Sequence, residues 1–287
     1  MARKRATLDD LLNDLTFRIV FDKFRLISIN EFEWGGLPAE ILERYIEIPL
    51  FDRGFTSFFK HPEMRYCSFP CDSTGEINPY GDPLRYRARG HNFEHDFDAD
   101  DGVIIENNKL RLATRDFVLF YVNKITEAER TMDVNVKANK TPVIVLCDDK
   151  DVLSFKQIFQ KVDGNAPAVF ADRSLSLDNM QALDLKTKFL GKDLMDYKKS
   201  VENELLTFLG INNTPHEKKE RLITDEANSN NQLIESFFDL GLEARQRACD
   251  QINEKYGLSV TVKRRQNFST TVENSVENSD GKEGEEE

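Results

Sequence analysis

The residues from Lys188 to Leu209 most constrain the fold, because their apolar side chains recur at the spacing of one long α-helix. At 1.5 Å per residue this helix would be about 33 Å long. Lys188, Lys192 and Lys199 fall within about 40° of one another on the side opposite the apolar stripe. Any surface helix can show this arrangement, so it does not by itself indicate a binding face. The apolar stripe consists of Leu190, Leu194, Tyr197, Val201, Leu205 and Phe208.

Three further helices and two regions of strands are predicted around this segment. Thr7 can cap an N-terminal helix, another helix starts near Thr114, and a fourth ends near Tyr256. From Pro49 to Asn108, short aromatic runs alternate with Gly, Pro, Asn and Asp, which indicates strands and long loops. The runs "PVIVL", "LSFKQIFQKV" and "NAPAVFA" predict a small strand–helix–strand unit, and "SVTVKRR" predicts a last strand. The fold class is therefore α+β.

Composition excludes several classes of protein. The chain has 287 residues, of which 39% are hydrophobic and 31% are charged, as in a folded protein with a polar surface. No run approaches the roughly 20 apolar residues of a membrane span, and the basic start "MARKR" lacks the apolar segment of a signal peptide. We therefore expect a protein made in a cytosol, without a membrane partner and with free cysteine thiols. The net charge of −12 argues against coating DNA by bulk attraction.

Two clusters offer metal ligands, and neither is favoured as a site. Cys67-x3-Cys71 and His91-x3-His95 supply four zinc-type ligands, but nothing in the sequence holds the two pairs together. The acidic run "DFDADDG" resembles a calcium loop, yet its sixth position is an Asp where Gly is required and its twelfth is an Asn where Glu is required. No phosphate-binding loop or catalytic triad is found. We therefore predict no catalytic residue, no metal and no cofactor.

A basic, polar segment separates the last two helical patterns. It opens on Lys218, Lys219 and Arg221 and closes on an Asn/Ser-rich run. Acidic residues are interspersed with the basic ones, so any grip on a polyanion would be weak and easily screened by salt. A solvated loop would have the same composition.

Several stretches, in order along the chain, resemble one protein family. They are "MARKR", "FEWGGLP", "GVIIENN", "NKTPVIVL", "GNAPAVFA", "TFLGINN", "EKKERLITDEANSNN" and "INEKYGLSV". The set is similar to the upper collar protein of small short-tailed phages, also called the head–tail connector or portal protein. The resemblance spans positions 1 to about 262. The loops from 67 to 101 and the acidic tail match poorly.

The resemblance implies a portal-type subunit with long stem helices, a small clip and a β-containing wing. It implies no enzymatic activity. The implied segments are a basic N-terminus, helix and wing (1–113), a stem helix (114–138), a clip (139–184), a second stem helix (185–210), a channel loop (211–230), a wing helix and strand (231–265) and a disordered acidic tail (266–287).

The resemblance also implies partners and a place in the virion. Twelve copies would form a ring at one capsid vertex, between head and tail, through which double-stranded DNA is packaged and ejected. The other implied partners are the major capsid protein, a packaging ATPase, the lower collar and tail proteins and, in some members, a packaging RNA. Assembly would take place in the host cytoplasm.

The resemblance assigns residues to two surfaces. Lys188, Lys192, Lys199, Lys218, Lys219 and Arg221 would face the DNA channel. Arg3, Lys4 and Arg5 match the segment that contacts a packaging RNA or the capsid. One channel lysine of the family is replaced by Asp193.

Two other interpretations are kept as alternatives. A metal-dependent nucleic-acid enzyme would use Asp96, Asp98, Asp100 and Asp101, but two-metal sites draw carboxylates from separate elements and these lie in one loop. A non-viral nucleic-acid-binding scaffold would share the basic loop. Closed ring symmetry with a bore wide enough for a duplex would distinguish the portal from the scaffold.

Overall fold

Helices and short strands both contribute to the fold, which confirms the α+β class. The computed structural model describes residues 8–140, 143–146, 181–184, 188–212 and 224–265. Its helices are α1 (Leu8–Ile29), α2 (Arg44–Arg53), α3 (Thr114–Lys140), α4 (Gly191–Phe208) and α5 (Thr224–Tyr256). Its strands are β1 (Phe32–Gly35), β2 (Phe55–His61), β3 (Arg65–Phe69), β4 (Cys71–Ile77), β5 (Pro83–Gly90), β6 (Phe93–Asp98), β7 (Gly102–Glu106), β8 (Val143–Leu146), β9 (Gln181–Asp184) and β10 (Thr261–Arg264). No described helix combines the length and apolarity that a membrane span requires.

The chain divides into two compact units. The first comprises residues 1–123 and 202–287, and the second comprises residues 124–201. The described residues of the first unit form three small antiparallel sheets, with strand orders β3-β2-β7, β4-β5-β6 and β1-β10. The predicted β-rich region is confirmed from Phe55 to Glu106, whereas its first residues, 49–53, belong to α2. The strand in "SVTVKRR" is also confirmed. The pair β1–β10 joins residues more than 200 positions apart, with Phe32 opposite Arg264.

Two adjacent phenylalanines of β2 enter two different cores. Successive strand residues point to opposite faces, so Phe58 and Phe59 are both almost fully buried but on opposite sides of the sheet. Phe58 packs with residues from α2, α5 and the β1–β10 pair. Phe59 packs with Cys67, Cys71 and side chains of the β4-β5-β6 sheet. Burying one such ring contributes about 1.5–3 kcal/mol to folding stability. Because the two rings enter different cores, β2 contributes to both cores.

A buried ion pair joins α2 to α5. Arg245 donates to both carboxylate oxygens of Glu47, at 2.9 and 2.7 Å, and their side chains are 3% and 2% exposed. Arg245 also donates to Asn107, at 3.1 Å to Oδ1, and the Trp34 indole donates to Glu47 at 2.8 Å. The Arg245 guanidinium lies 3.8 Å from the centre of the Phe32 ring. These contacts satisfy both charges within the first unit.

The second unit contains the C-terminal part of α3, the N-terminal part of α4 and the pair β8–β9. Val143 pairs with Asp184 and Leu146 with Gln181, antiparallel. The predicted strand at "PVIVL" is confirmed by β8, and β9 was not predicted. The predicted helix at "LSFKQIFQKV" and the strand at "NAPAVFA" lie outside the described residues.

Helix α5 begins earlier than the sequence suggested. It starts at Thr224, inside the predicted channel loop of 211–230, and runs for 33 residues. Asn and Ser lower helix propensity by only a few tenths of a kcal/mol each, and a long packed helix overrides so small a cost. Helix α5 therefore overlaps the predicted channel loop from Thr224 onward. The acidic tail, 266–287, lies outside the described residues.

The buried pair yields a stability prediction. In Arg245→Ala, Glu47 keeps a buried charge without its partner, so the free energy of unfolding should fall by about 3–5 kcal/mol. The control is Lys263→Ala, which breaks an ion pair with Glu33 whose side chains are 65% and 38% exposed. That variant should change the free energy of unfolding by less than about 1 kcal/mol. Urea unfolding measures both, and equal small effects would contradict the role given to Arg245.

Candidate functional site

Two of the predicted channel lysines lie together on one face of α4. Lys192 and Lys199 are both exposed and lie about 20° apart around the helix axis. Asp196 is exposed on the same face between them. Lys198 instead turns toward α3 and forms an ion pair with Glu129. The exposed face of α4 therefore alternates positive and negative charge.

Lys188 does not lie on α4, contrary to the predicted helix of 188–209. The Asn135 side chain on α3 donates to the Lys188 carbonyl and accepts from the Leu190 amide, both at 2.9 Å. These two hydrogen bonds hold residues 188–190 in a non-helical conformation, and α4 begins at Gly191. Lys188 is exposed just before the helix.

The apolar stripe of α4 is confirmed except at one position. Val201 and Leu205 are buried, whereas Tyr197 is 50% exposed. Tyr197 lies at the edge of the stripe, where an amphipathic ring can pack on one side and keep its hydroxyl in water. The second unit leaves other apolar side chains exposed on its two helices. Val134 on α3 is 65% exposed and Met195 on α4 is 40% exposed.

The remaining predicted basic residues lie outside the described residues. These are Lys218, Lys219 and Arg221 of the predicted channel loop and Arg3, Lys4 and Arg5 of the N-terminus. Their assignments stay predictions.

In the acidic run "DFDADDG", two side chains bind arginines and one residue accepts a hydrogen bond through its backbone. Asp96 receives two hydrogen bonds from Arg87, at 2.6 and 2.8 Å, and these hold the pKa of Asp96 below its usual range. Asp98 receives one from Arg85 at 2.8 Å. Asp101 accepts from the Tyr256 hydroxyl through its backbone carbonyl, at 2.8 Å. With Asp96 and Asp98 neutralised by arginines, this arrangement does not favour the nucleic-acid enzyme.

The two cysteines belong to the second core, whereas His95 packs against it and His91 is exposed. Cys67 and Cys71 are buried among aromatic rings, and burial raises the pKa of the Cys71 thiol to about 12. His95 stacks on Phe59, with ring centres 5.2 Å apart. Among the described residues, no group of three or more His, Cys, Asp or Glu side chains is placed to bind a metal.

A cavity of about 370 Å³ lies next to the buried ion pair, and the sequence did not reveal it. Glu31, Glu47, Asn107 and Arg245 form its polar end. Glu31 also lines a second, smaller cavity beside Arg264. Burial raises the pKa of Glu31 to about 8, the Glu47 charge adds to the rise, and Arg245 and Arg264 oppose it.

The buried charges left a weak signal in the sequence. Arg245 occupies a position on the apolar stripe of α5, between Phe238 and Ile252. Glu47 lies within the apolar run "YIEIPLF". A charge at a core position indicates a buried partner, but it does not identify that partner.

Comparison with known protein families decides the identity. A model of the family described as Phage Connector (GP10) matches residues 3–269. The chain belongs to the phage connector family. As a connector, also called a portal protein, it is a structural component of the phage particle at the junction of head and tail.

Solved portal structures are similar to this connector at low sequence identity. One chain of the portal and tail of native bacteriophage P68 is 14% identical, with 94% of each chain covered and a TM-score of 0.49. A phage portal protein of the HK97 family from Corynebacterium diphtheriae is 9% identical, covering 92% of this chain and 96% of that one, with a TM-score of 0.48. A chain from the neck of an empty GTA particle is 10% identical, covering 86% and 80%, with a TM-score of 0.46.

The raised pKa of Glu31 yields a pH prediction for this connector. The folded chain keeps a proton on Glu31 that the unfolded chain releases above the ordinary glutamate pKa of 4.5, so folding stability should fall as pH rises from about 5 to about 8. In Glu31→Gln this loss is absent, and the variant should gain stability over the parent as pH rises. Urea unfolding at pH 5, 6, 7 and 8, with the chains dissociated, measures the difference. Parallel curves for parent and variant would contradict the assignment.

Proposed function

We propose that about twelve copies of this connector form a closed ring at one capsid vertex and conduct double-stranded DNA during packaging and ejection. The membership of residues 3–269 in the phage connector family is the observation that carries the proposal. The protein has no catalytic role of its own in this account. A head-to-tail interface that closes on itself generates such a cyclic ring.

The exposed apolar side chains of the second unit support ring contacts. Val134 and Val136 on α3 are 65% and 53% exposed, and Phe189 before α4 is 62% exposed. Apolar side chains concentrated on two adjacent helices mark an interaction surface more often than a solvated one. In the ring, these faces of the proposed stem would contact the neighbouring copies.

The mixed charge of α4 suits DNA that must slide. In a ring, Lys192 and Lys199 each become a circle of positive charge, and Asp196 places negative charge between the circles. Each firm lysine–phosphate contact releases counterions and holds the DNA more tightly. A net charge of −12 with a few lysine rings would repel DNA overall and touch its phosphates weakly.

The other surfaces take the roles that the resemblance implies. We assign Lys188 to the channel wall, and Lys218, Lys219 and Arg221 to a loop that projects into the channel. Arg3, Lys4 and Arg5 would contact the capsid or a packaging RNA. The pair β8–β9 would belong to the clip, where the packaging ATPase and later the lower collar and tail proteins attach. The major capsid protein would surround the wing. Assembly would occur in the host cytoplasm.

The ring is tested by the mass of the purified protein. Mass photometry across a range of salt concentrations should show one dominant species of roughly twelve times 33.1 kDa. Rings are expected to persist in salt because apolar contacts hold the stem helices together. Monomers or dimers under every condition would contradict the proposal.

The loop assignment is tested by removing its charges. Replacing Lys218, Lys219 and Arg221 with Ala should leave ring assembly unchanged and reduce retention of packaged DNA, because fewer cations reach the phosphates. The matched control replaces Arg85, Lys109 and Lys263, which are 58%, 59% and 65% exposed in the first unit, and removes the same charge. Nuclease protection of packaged DNA is the measurement. Loss of assembly in the loop variant, or equal loss of DNA in both variants, would show that the assignment is wrong.

A further inference from the structure

The cavity of the first unit opens through an apolar rim. Its walls include six phenylalanines: Phe32, Phe51, Phe117, Phe208, Phe237 and Phe238. Among its lining residues, Leu110 is 76% exposed, Leu240 45% and Leu112 44%. Exposed leucines around an apolar hollow are a liability in water unless something covers them. The first unit therefore carries an apolar binding surface.

At the polar end of the cavity, one buried oxygen atom lacks a hydrogen-bond partner. The Oε1 atom of Glu31 is buried and has no hydrogen-bond partner among the described residues. Arg245 is engaged by Glu47 and Asn107, and Arg264 donates to Glu235 and to the Gly210 carbonyl, each at 2.8 Å. Buried carboxylates are ordinarily paired or hydrogen-bonded. A donor from another molecule would complete this end of the cavity.

Helix α1 has an exposed face that matches both the apolar rim and the partnerless oxygen of Glu31. Leu15, Ile19 and Leu26 are 50%, 61% and 66% exposed. Arg18 is exposed on the same face, and all four residues lie within an arc of about 100°. Lys23 and Arg25, also on α1, pair with Glu202 and Asp52, whereas Arg18 is in no ion pair with a described residue.

We propose that α1 of one copy docks over the cavity of the next copy, with Arg18 reaching Glu31 and with Leu15 and Ile19 covering the apolar rim. The proposal rests on the proposed ring, in which each copy must present two different and complementary surfaces. The Glu31 oxygen that lacks a hydrogen-bond partner matches a guanidinium donor, and the phenylalanine walls favour a cation over their faces.

Other exposed apolar groups fit the cavity less well. Ile77, Tyr80 and Leu84 cluster around the turn between β4 and β5, and Tyr80 is 92% exposed. The neighbouring cation, Arg85, is already bound to Asp98 at 2.8 Å. This hairpin therefore offers apolar surface without a free cation for Glu31, whereas α1 offers both.

Dilution of the assembled ring tests the pair. Arg18→Gln and Glu31→Gln should each raise the concentration at which half of the rings dissociate by roughly tenfold or more, because either change removes the contact between the guanidinium and the buried acid. The double variant should be no weaker than the weaker single variant, since the two side chains act on one contact. Lys23→Gln, on the same helix but paired within its own chain, is the control and should assemble like the parent. Mass photometry reads the species directly.

Glu31→Gln also distinguishes a defect in assembly from a defect in folding. Glu31→Gln removes a buried acid and should leave the dissociated chain at least as stable as the parent at pH 8. Weaker assembly by this variant therefore cannot arise from unfolding. Parental assembly of either single variant, or additive effects in the double variant, would overturn the proposal.

Crosslinking tests the location of the contact. With benzoylphenylalanine at Ile19, irradiation of rings made from mixed light- and heavy-isotope chains should join Ile19 to peptides 107–117 or 237–245 of another copy. Crosslinks within one chain, or to other peptides, would overturn the proposal. A parent that forms no ring would contradict the proposed function instead, so the two failures are distinguishable.

Discussion

The buried pair between Glu47 and Arg245 is the interaction on which the first unit depends. It joins α2 to α5 across 198 positions of sequence, and Trp34 and Asn107 complete its hydrogen bonds. Desolvating two charges is costly, so a pair of this kind persists only where geometry and further donors offset that cost. Here it holds α5 against α2, and the larger of the two cavities forms beside it. The candidate docking surface for a neighbouring copy is thus built around this one contact.

Local patterns predicted much of the fold. The 3.6-residue spacing of apolar side chains identified α1, α3, α4 and α5, and the aromatic runs identified the β-rich region. The predicted helix boundaries were wrong where side chains far apart in sequence determine them. Hydrogen bonds from Asn135 of α3, for example, place the start of α4 at Gly191. The pairing β8–β9 was missed because four-residue strands carry little periodic signal. Pattern alone could not identify the partner of Arg245, which lies in another segment.

The candidate channel surface was predicted only in part. Helical spacing placed Lys192 and Lys199 on one exposed face, as the structure has them. Helical spacing did not predict a partner for Lys198, which forms an ion pair with Glu129 of α3. The resulting face is weakly charged and alternating. That character suits the proposed conduit, which must touch phosphates to guide DNA and release them to let it pass.

The central claim is that this connector encloses DNA in a closed ring with α4 toward the lumen. Electron microscopy of the purified protein, averaged down the particle axis, tests it most directly. The account predicts closed rings with cyclic symmetry, a bore wide enough for a duplex, and Lys192 and Lys199 lining that bore. Open filaments, particles without a central bore, or rings with α4 on the outer wall would contradict it.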